Sequence, residues 1–317
     1  MSELGLGTWA FGGHKWSHGW GPQDDAESKE VLWGGLERGV RFIDTAPSYG
    51  LGRSEMVIGE ALGSPRQRDC VVLTKCGQEP RGDGRGFSVN LEPSFIREEI
   101  KGSLSRLGVR RIDLLFIHYP AESDTQNYFA LDELCRLRSR GVLGGVGLSN
   151  FSSSQVSKCV DRFRIDAIQS KYSMMNRNIG DEVMELCRKN TIKIFGYQPL
   201  ESGLLTSASA EGRERRFAPG DWRSRDPNFT FFRDLRFRPI QDKLIEVSMR
   251  FGASVAGTIL AWTLDNTPCD VTLVGARNVF QLNQLFDYQR VKFTREDLDE
   301  IESIVSKIKN FRTNLEA

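Results

Sequence analysis

The 317-residue sequence predicts one domain, a single (β/α)8 TIM barrel. Three observations carry that prediction. Short β-rich apolar runs alternate with longer segments of helical period, the helical segments bring their own start and stop residues, and no linker interrupts the alternation. An open doubly wound sheet is disfavoured because no clean G-x-G-x-x-G follows a strand and opens a helix. Gly82-Asp83-Gly84-Arg85-Gly86 lies in a turn-rich insert, and Gly144-Gly145-Val146-Gly147 runs into a strand.

In chain order the predicted strands are Leu4–Thr8, Arg41–Thr45, Cys70–Lys75, Asp113–His118, Val146–Ser149, Ala167–Ser170, Lys193–Tyr197 and Val271–Val274. Among the helices, Asp25–Arg38 follows Asp24, a good N-cap, and stops at Gly39. Pro93–Leu107 opens on a proline, whose missing N–H is no loss in a first turn, and stops at Gly108; a third helix ends at Gly141. Two segments stand outside the repeat: residues 202–238, a long charged loop after the seventh strand, and 295–311, a polar-patterned helix. The loop has an excess of arginine, Arg213, Arg215, Arg216, Arg223 and Arg225 among them, and is expected to act as a lid over cofactor phosphates or an acidic substrate.

Composition narrows the partners. Lys and Arg total 43 against 42 Asp and Glu, a net charge of +1 that argues against nucleic acid and anionic membrane as partners. No apolar run approaches the roughly 18 residues of a membrane span, and the first residues lack the pattern of a signal peptide, so a cytoplasmic location is expected. The six cysteines are scattered without zinc-site spacing, and no metal is expected. His14 and His18 sit among Gly and Trp, where a solvated or pocket-lining role is expected rather than ligation.

In such a barrel the chemistry occupies the rim at the C-terminal ends of the strands. The second strand carries Asp44 and leads on to Tyr49, the third ends at Lys75, and the fourth ends at His118. Singly these are a capping carboxylate, a packing phenol, a paired ammonium and a core imidazole. Together on one rim they make a proton-donor system. A phenol titrates near 10, so work as a general acid near neutral pH calls for a lowered value, which a buried Lys75 held charged by Asp44 is expected to supply. His118 is placed to orient a carbonyl oxygen. Trp9, Trp16, Trp20, Tyr119, Trp222 and Phe229 are available for an aromatic pocket wall.

Gly5-Leu6-Gly7-Thr8-Trp9, Phe42-Ile43-Asp44-Thr45-Ala46 with Tyr49-Gly50 and Ser54-Glu55, the Lys75 and His118 strands, Gly147-Leu148-Ser149-Asn150, and Tyr197-Gln198-Pro199-Leu200 with Ser202-Gly203-Leu204-Leu205 occur in an order that resembles the aldo-keto reductase family over nearly the whole chain. The resemblance implies NAD(P)(H)-dependent reduction of a small aldehyde or ketone, with Tyr49 as acid and Asp44, Lys75 and His118 completing a tetrad. It implies cofactor contacts from Gly7, Thr8, Trp9 and Asp44, from Ser149, Asn150 and Gln169 at the carboxamide, and from the Tyr197 ring. Further contacts are implied from Gln198, Leu200, Ser202, Gly203 and Leu204 along the pyrophosphate, and from Gly275, Arg277, Gln281 and Gln284 at the adenosine. Trp9, Tyr49, His118 and Tyr119 would meet the substrate. Arg277 suits a 2′-phosphate, so NADP(H) is expected ahead of NAD(H).

The sequence departs from the family pattern at Gln198, where relatives commonly carry a small hydroxyl residue, and at two other places. The first strand starts so early that no bottom-capping β-hairpin is expected before it, and the family's Q-x-x-E-N becomes Gln281-Leu282-Asn283-Gln284-Leu285, which removes a polar adenine contact. The resemblance extends to potassium-channel β-subunits, so a nucleotide-sensing binding subunit is the alternative function. An oligomer is compatible with either.

Overall fold

A computed structural model describes residues 2–316 apart from 15, 64–69, 85, 178, 207–216, 228 and 230–237. Its strands are β1 (Glu3–Gly7), β2 (Phe42–Asp44), β3 (Val71–Cys76), β4 (Gln78–Pro80), β5 (Phe87–Val89), β6 (Ile112–Ile117), β7 (Leu143–Ser149), β8 (Ala167–Lys171), β9 (Lys193–Tyr197) and β10 (Val271–Val274). Eight of them close into an all-parallel barrel in the order β1-β2-β3-β6-β7-β8-β9-β10, while β4 and β5 pair as an antiparallel hairpin above the rim. Every predicted barrel strand is present with small shifts at its ends. The hairpin is new: the Arg81 N–H bonds to the Gly86 carbonyl at 2.9 Å where its strands are joined, and the strands are too short to show an alternation.

The helices are α1 (Asp25–Glu37), α2 (Arg53–Leu62), α3 (Pro93–Leu107), α4 (Asp124–Ser139), α5 (Ser153–Val160), α6 (Asp181–Asn190), α7 (Arg238–Arg250), α8 (Val255–Asn266), α9 (Val279–Phe286) and α10 (Arg295–Glu316). Asp24 caps α1 by accepting the Glu27 N–H at 3.0 Å, and Ser152 and Gln155 close a reciprocal capping box on α5. Gly108 ends α3 in the left-handed region at φ 66°. The last helix runs beyond its expected end at residue 311, to Glu316. No single described helix is long and apolar enough to cross a membrane.

Side chains of alternate residues point into the barrel, and three aromatic rings fill its middle. Phe195 meets Phe42 edge-on at 5.6 Å and Phe116 at 5.8 Å. Glycines paired in register on neighbouring strands make room for this filling: a Cβ on Gly147 would lie 2.4 Å from the Phe116 ring, and one on Gly5 would lie 2.6 Å from the Leu273 side chain. Leu73, Leu114, Ala167, Val271 and Leu273 complete this layer, with the half-buried Val71 packed against it. The polar rim therefore rests on a dry apolar floor, where electrostatic interactions are stronger than in water.

Candidate active site

The period of the strands explains why the polar residues meet. Asp44 pairs in register with Leu73, so Lys75, two residues further along β3, points the same way one step higher. Lys75 is only 1% exposed. Its Nζ donates to both Asp44 oxygens at 2.9 Å, to the Thr45 carbonyl at 2.8 Å and to the Tyr49 hydroxyl at 3.1 Å. Tyr49 is carried there by the turn after β2, where Gly50 at φ 67° packs so tightly on Gly12 that a Cβ would fall 2.2 Å from the Gly12 carbonyl oxygen. Gln169 on β8 donates to Asp44 Oδ1 at 2.7 Å. His118, just past β6, turns its ring edge-on to Tyr49 at 6.0 Å, and Tyr119 stacks on His118 at 5.1 Å.

Burial dominates the acid–base state of this group. It pushes the Tyr49 phenol well above 10, and the Asp44 carboxylate adds to the effect. Burial also lowers Lys75, against the pull of Asp44. Burial, and after it the Lys75 ammonium, holds His118 well below its ordinary value, so the imidazole is neutral near pH 7. The expected lowering of the phenol's pKa is thus not what the buried site does. The ammonium is committed to Asp44, and dry surroundings penalise a phenoxide. Tyr49 consequently holds its proton, the form a general acid needs.

A cavity of about 1000 Å³ passes over these groups. One end is walled by Trp16, Phe87 and Tyr119, and the other reaches Gly275, Arg277, Phe280 and Gln284. Its volume is at the upper end of the roughly 300–1,000 Å³ typical of small-ligand sites, enough for a long ligand and a smaller one together. Along it lie Gly7, Trp9, Ser149, Asn150, Gln169, Tyr197, Gln198, Leu200, Ser202, Gly203 and Gln281. Asn150 is fixed by donating to the His118 carbonyl at 3.0 Å and the Ser149 hydroxyl at 3.1 Å while accepting from the Tyr197 hydroxyl at 2.7 Å. Gln198, Glu201 and Ser202 have φ of 58°, 48° and 55°, and Gly203 has 84°, so the chain after β9 curls into a left-handed, concave segment. Arg277 donates to the Gln23 side chain at 3.1 Å and to the Pro22 carbonyl, and its own N–H bonds to Gln281 at 2.9 Å.

Two of the residues expected at the cofactor, Thr8 and Leu204, do not line this cavity. Thr8 is fully buried away from the cavity, donating to the Asp44 carbonyl at 2.8 Å and meeting Ser54 at 2.8 Å. Leu204 packs in the hydrophobic core because the 3-10 turn at Glu201–Gly203 rotates it outward. Trp9, Trp16, Trp20 and Tyr119 line the cavity, but Trp222 stacks on Trp9 at 5.3 Å without lining it, and Phe229 is buried against Phe217. His18 is at the mouth, as a pocket-lining residue.

Of the segment expected to be a lid, residues 207–216, 228 and 230–237 lie outside the described residues. Its described part is joined to the first βα loop by a bridge between Trp20 and Asp221 and a bond from the Trp222 N–H to the Gly19 carbonyl at 2.8 Å. Arg223 anchors it through a buried pair with Asp221 at 2.6 Å and lies over the Trp20 ring at 4.4 Å. Sequence reasoning missed Gln78 and Phe87, which the hairpin brings to the cavity, and Ser48, one residue before Tyr49. Only the spacing of Ser48 ahead of Tyr49 offered a signal.

The aldo/keto reductase family model matches residues 3–306. An aldo-keto reductase of Bacillus subtilis (strain 168) is 33% identical over 310 residues, spanning 96% of this chain and 90% of its own. An NADH-specific methylglyoxal reductase of Escherichia coli (strain K12) is 32% identical over 287 residues, 87% of this chain and 86% of its own. The glycerol dehydrogenase structure from Gluconobacter oxydans superposes with a TM-score of 0.82 at 30% identity, covering 96% of this chain and 91% of that one. Matched along nearly its whole length, and with the barrel closed, the chain belongs to the aldo/keto reductase family of NAD(P)H-dependent carbonyl oxidoreductases.

Proposed function

We propose that this protein is an NADP(H)-dependent reductase of an aldehyde or ketone, acting in the cytoplasm, in which Tyr49 delivers the proton. The observation that carries this reading is the Tyr49 hydroxyl 3.1 Å from a buried Lys75 ammonium, on the floor of a cavity long enough for a dinucleotide. The residues present suit that cofactor. The Asn150 and Gln169 amides match a carboxamide, the Tyr197 ring matches a flat heterocycle, and the left-handed segment Gln198–Gly203 suits a pyrophosphate. Arg277 supports a 2′-phosphate and hence NADP(H) over NAD(H), because a guanidinium grips phosphate through a planar fork.

When bound, the reduced nicotinamide supplies the hydride. Tyr49 gives its proton to the carbonyl oxygen as negative charge develops there, and the phenoxide left behind is stabilised by Lys75. Asp44, itself oriented by Gln169, keeps Lys75 charged during that transfer. Neutral His118 donates a hydrogen bond to the same oxygen. Trp9, Trp16, Phe87 and Tyr119 offer flat apolar faces, which suit a secondary-metabolite carbonyl or the apolar face of a sugar.

The test is oxidation of NADPH and NADH by purified protein over a panel of sugar, aliphatic and aromatic carbonyls, with Tyr49→Phe alongside. The expected result is turnover favouring NADPH, a loss of about 100-fold or more in Tyr49→Phe, and unchanged NADPH affinity in that variant. Equal turnover in Tyr49→Phe would overturn the role of Tyr49, and a preference for NADH would overturn the role of Arg277.

A further inference from the structure

We propose that Lys171 and Glu201 are positioning residues for the cofactor's pyrophosphate: Glu201 locks the left-handed cradle, and Lys171 screens the diphosphate from the Glu201 carboxylate. The proposal rests on the cofactor reading above. Three non-glycine residues, Gln198, Glu201 and Ser202, adopt positive φ within five positions. Such backbone is unfavourable for L-residues and persists only where surrounding contacts over-determine it.

Those contacts come from two sides. Glu201 is 5% exposed, and its two carboxylate oxygens are held separately, one by the Ser173 hydroxyl and the other by Lys171 Nζ at 2.5 Å. Lys171 lies two residues beyond Gln169 on β8, in register with Tyr197 on β9, with a third of its side chain exposed, and Ser173 lies two residues further along the chain. On the other side, Arg223 donates to the Ser202 carbonyl at 3.2 Å. Ser202 and Gly203 line the cavity, whereas Glu201 does not.

The electrostatics make the pair more than a clamp. A buried carboxylate next to the backbone that is to receive two phosphates opposes their binding, the more so in low dielectric. Lys171 cancels that opposition while leaving Glu201 free to hold the turn. Removing Lys171 alone therefore leaves an uncompensated acid beside the diphosphate, but removing both charges does not.

The experiment is calorimetric titration of NADP⁺, which carries the pyrophosphate, and adenosine 2′-phosphate, which does not. The proteins are wild type, Lys171→Met, Lys171→Arg, Glu201→Gln and Lys171→Met/Glu201→Gln. Lys171→Met is expected to bind NADP⁺ about tenfold more weakly, with adenosine 2′-phosphate within about twofold of wild type. Lys171→Arg should bind as wild type, and the double variant should recover most of the loss. Equal weakening of both ligands would assign the pair a general structural role and overturn the proposal, as would unchanged NADP⁺ binding in Lys171→Met or additive losses in the double variant. Wild-type protein that binds neither NADP⁺ nor NAD⁺ would overturn the underlying cofactor reading instead.

Discussion

Lys75→Met separates what the buried ion pair does for catalysis from what it does for stability. Methionine approximates the lysine stem but removes an ammonium that serves Asp44, the Thr45 carbonyl and the Tyr49 hydroxyl at once. Asp44, 5% exposed, would keep Gln169 as a side-chain partner at 2.7 Å, and the Thr45 carbonyl would lose its only side-chain donor among the described residues. Breaking a buried pair by deleting one member costs about 3–5 kcal/mol, because a charge is left without compensation. Adding Asp44→Asn removes the stranded charge and should recover about half of the lost stability.

Activity should not follow stability. With no cation beside it, Tyr49 cannot release its proton without leaving an unsupported phenoxide, so both the single and the double variant should lose about 100-fold or more in turnover. Urea unfolding at pH 8, together with turnover at saturating NADPH and carbonyl, measures both quantities. A Lys75→Met protein within about 1 kcal/mol of wild type at pH 8 would refute the reasoning. So would a double variant that regained turnover along with stability.

Two further outcomes follow from the fold. Glu99 on α3 accepts the Gly77 N–H at 2.6 Å where β3 passes into the hairpin, and burial pushes its carboxyl up to about 8. The folded value is above the unfolded one, so this contribution is complete below about pH 4.5 and is lost as pH rises through 8. Glu99→Gln keeps the acceptor and should reduce this fall by a few kcal/mol in unfolding measurements from pH 5 to 9; parallel curves would refute the assignment. Gly147→Ala places a methyl 2.4 Å from Phe116 and 3.0 Å from the Ala167 carbonyl oxygen. It should cost about 1–3 kcal/mol and lower Tm by a few degrees, and an unchanged melt would show that the aromatic layer yields easily.

The sequence by itself determined the barrel and most of its rim. Strand alternation and helix caps are local properties, readable at Asp24, Pro93 and Gly108 without knowledge of any neighbour. Asp44, Lys75 and His118 were legible for a related reason. Each lies within one residue of a strand's end, and in a parallel barrel strand ends of the same sense converge on one rim. The family motifs added Tyr49, Asn150 and Tyr197, which the fold brings to the same cavity.

Tertiary structure alone decided the rest. Thr8 and Leu204 sit inside motifs yet face away from the cavity, because one faces Ser54 behind the strand and the other is turned into the core. The hairpin that presents Gln78 and Phe87 has strands too short for a periodic signal. Lys171, Ser173 and Glu201 form a cluster only because β8 and the turn after β9 are neighbours in the barrel. The acid–base state of Tyr49 was equally out of reach. Residue identity places an ammonium near a phenol, but which effect wins depends on burial, and burial exists only once the chain is packed.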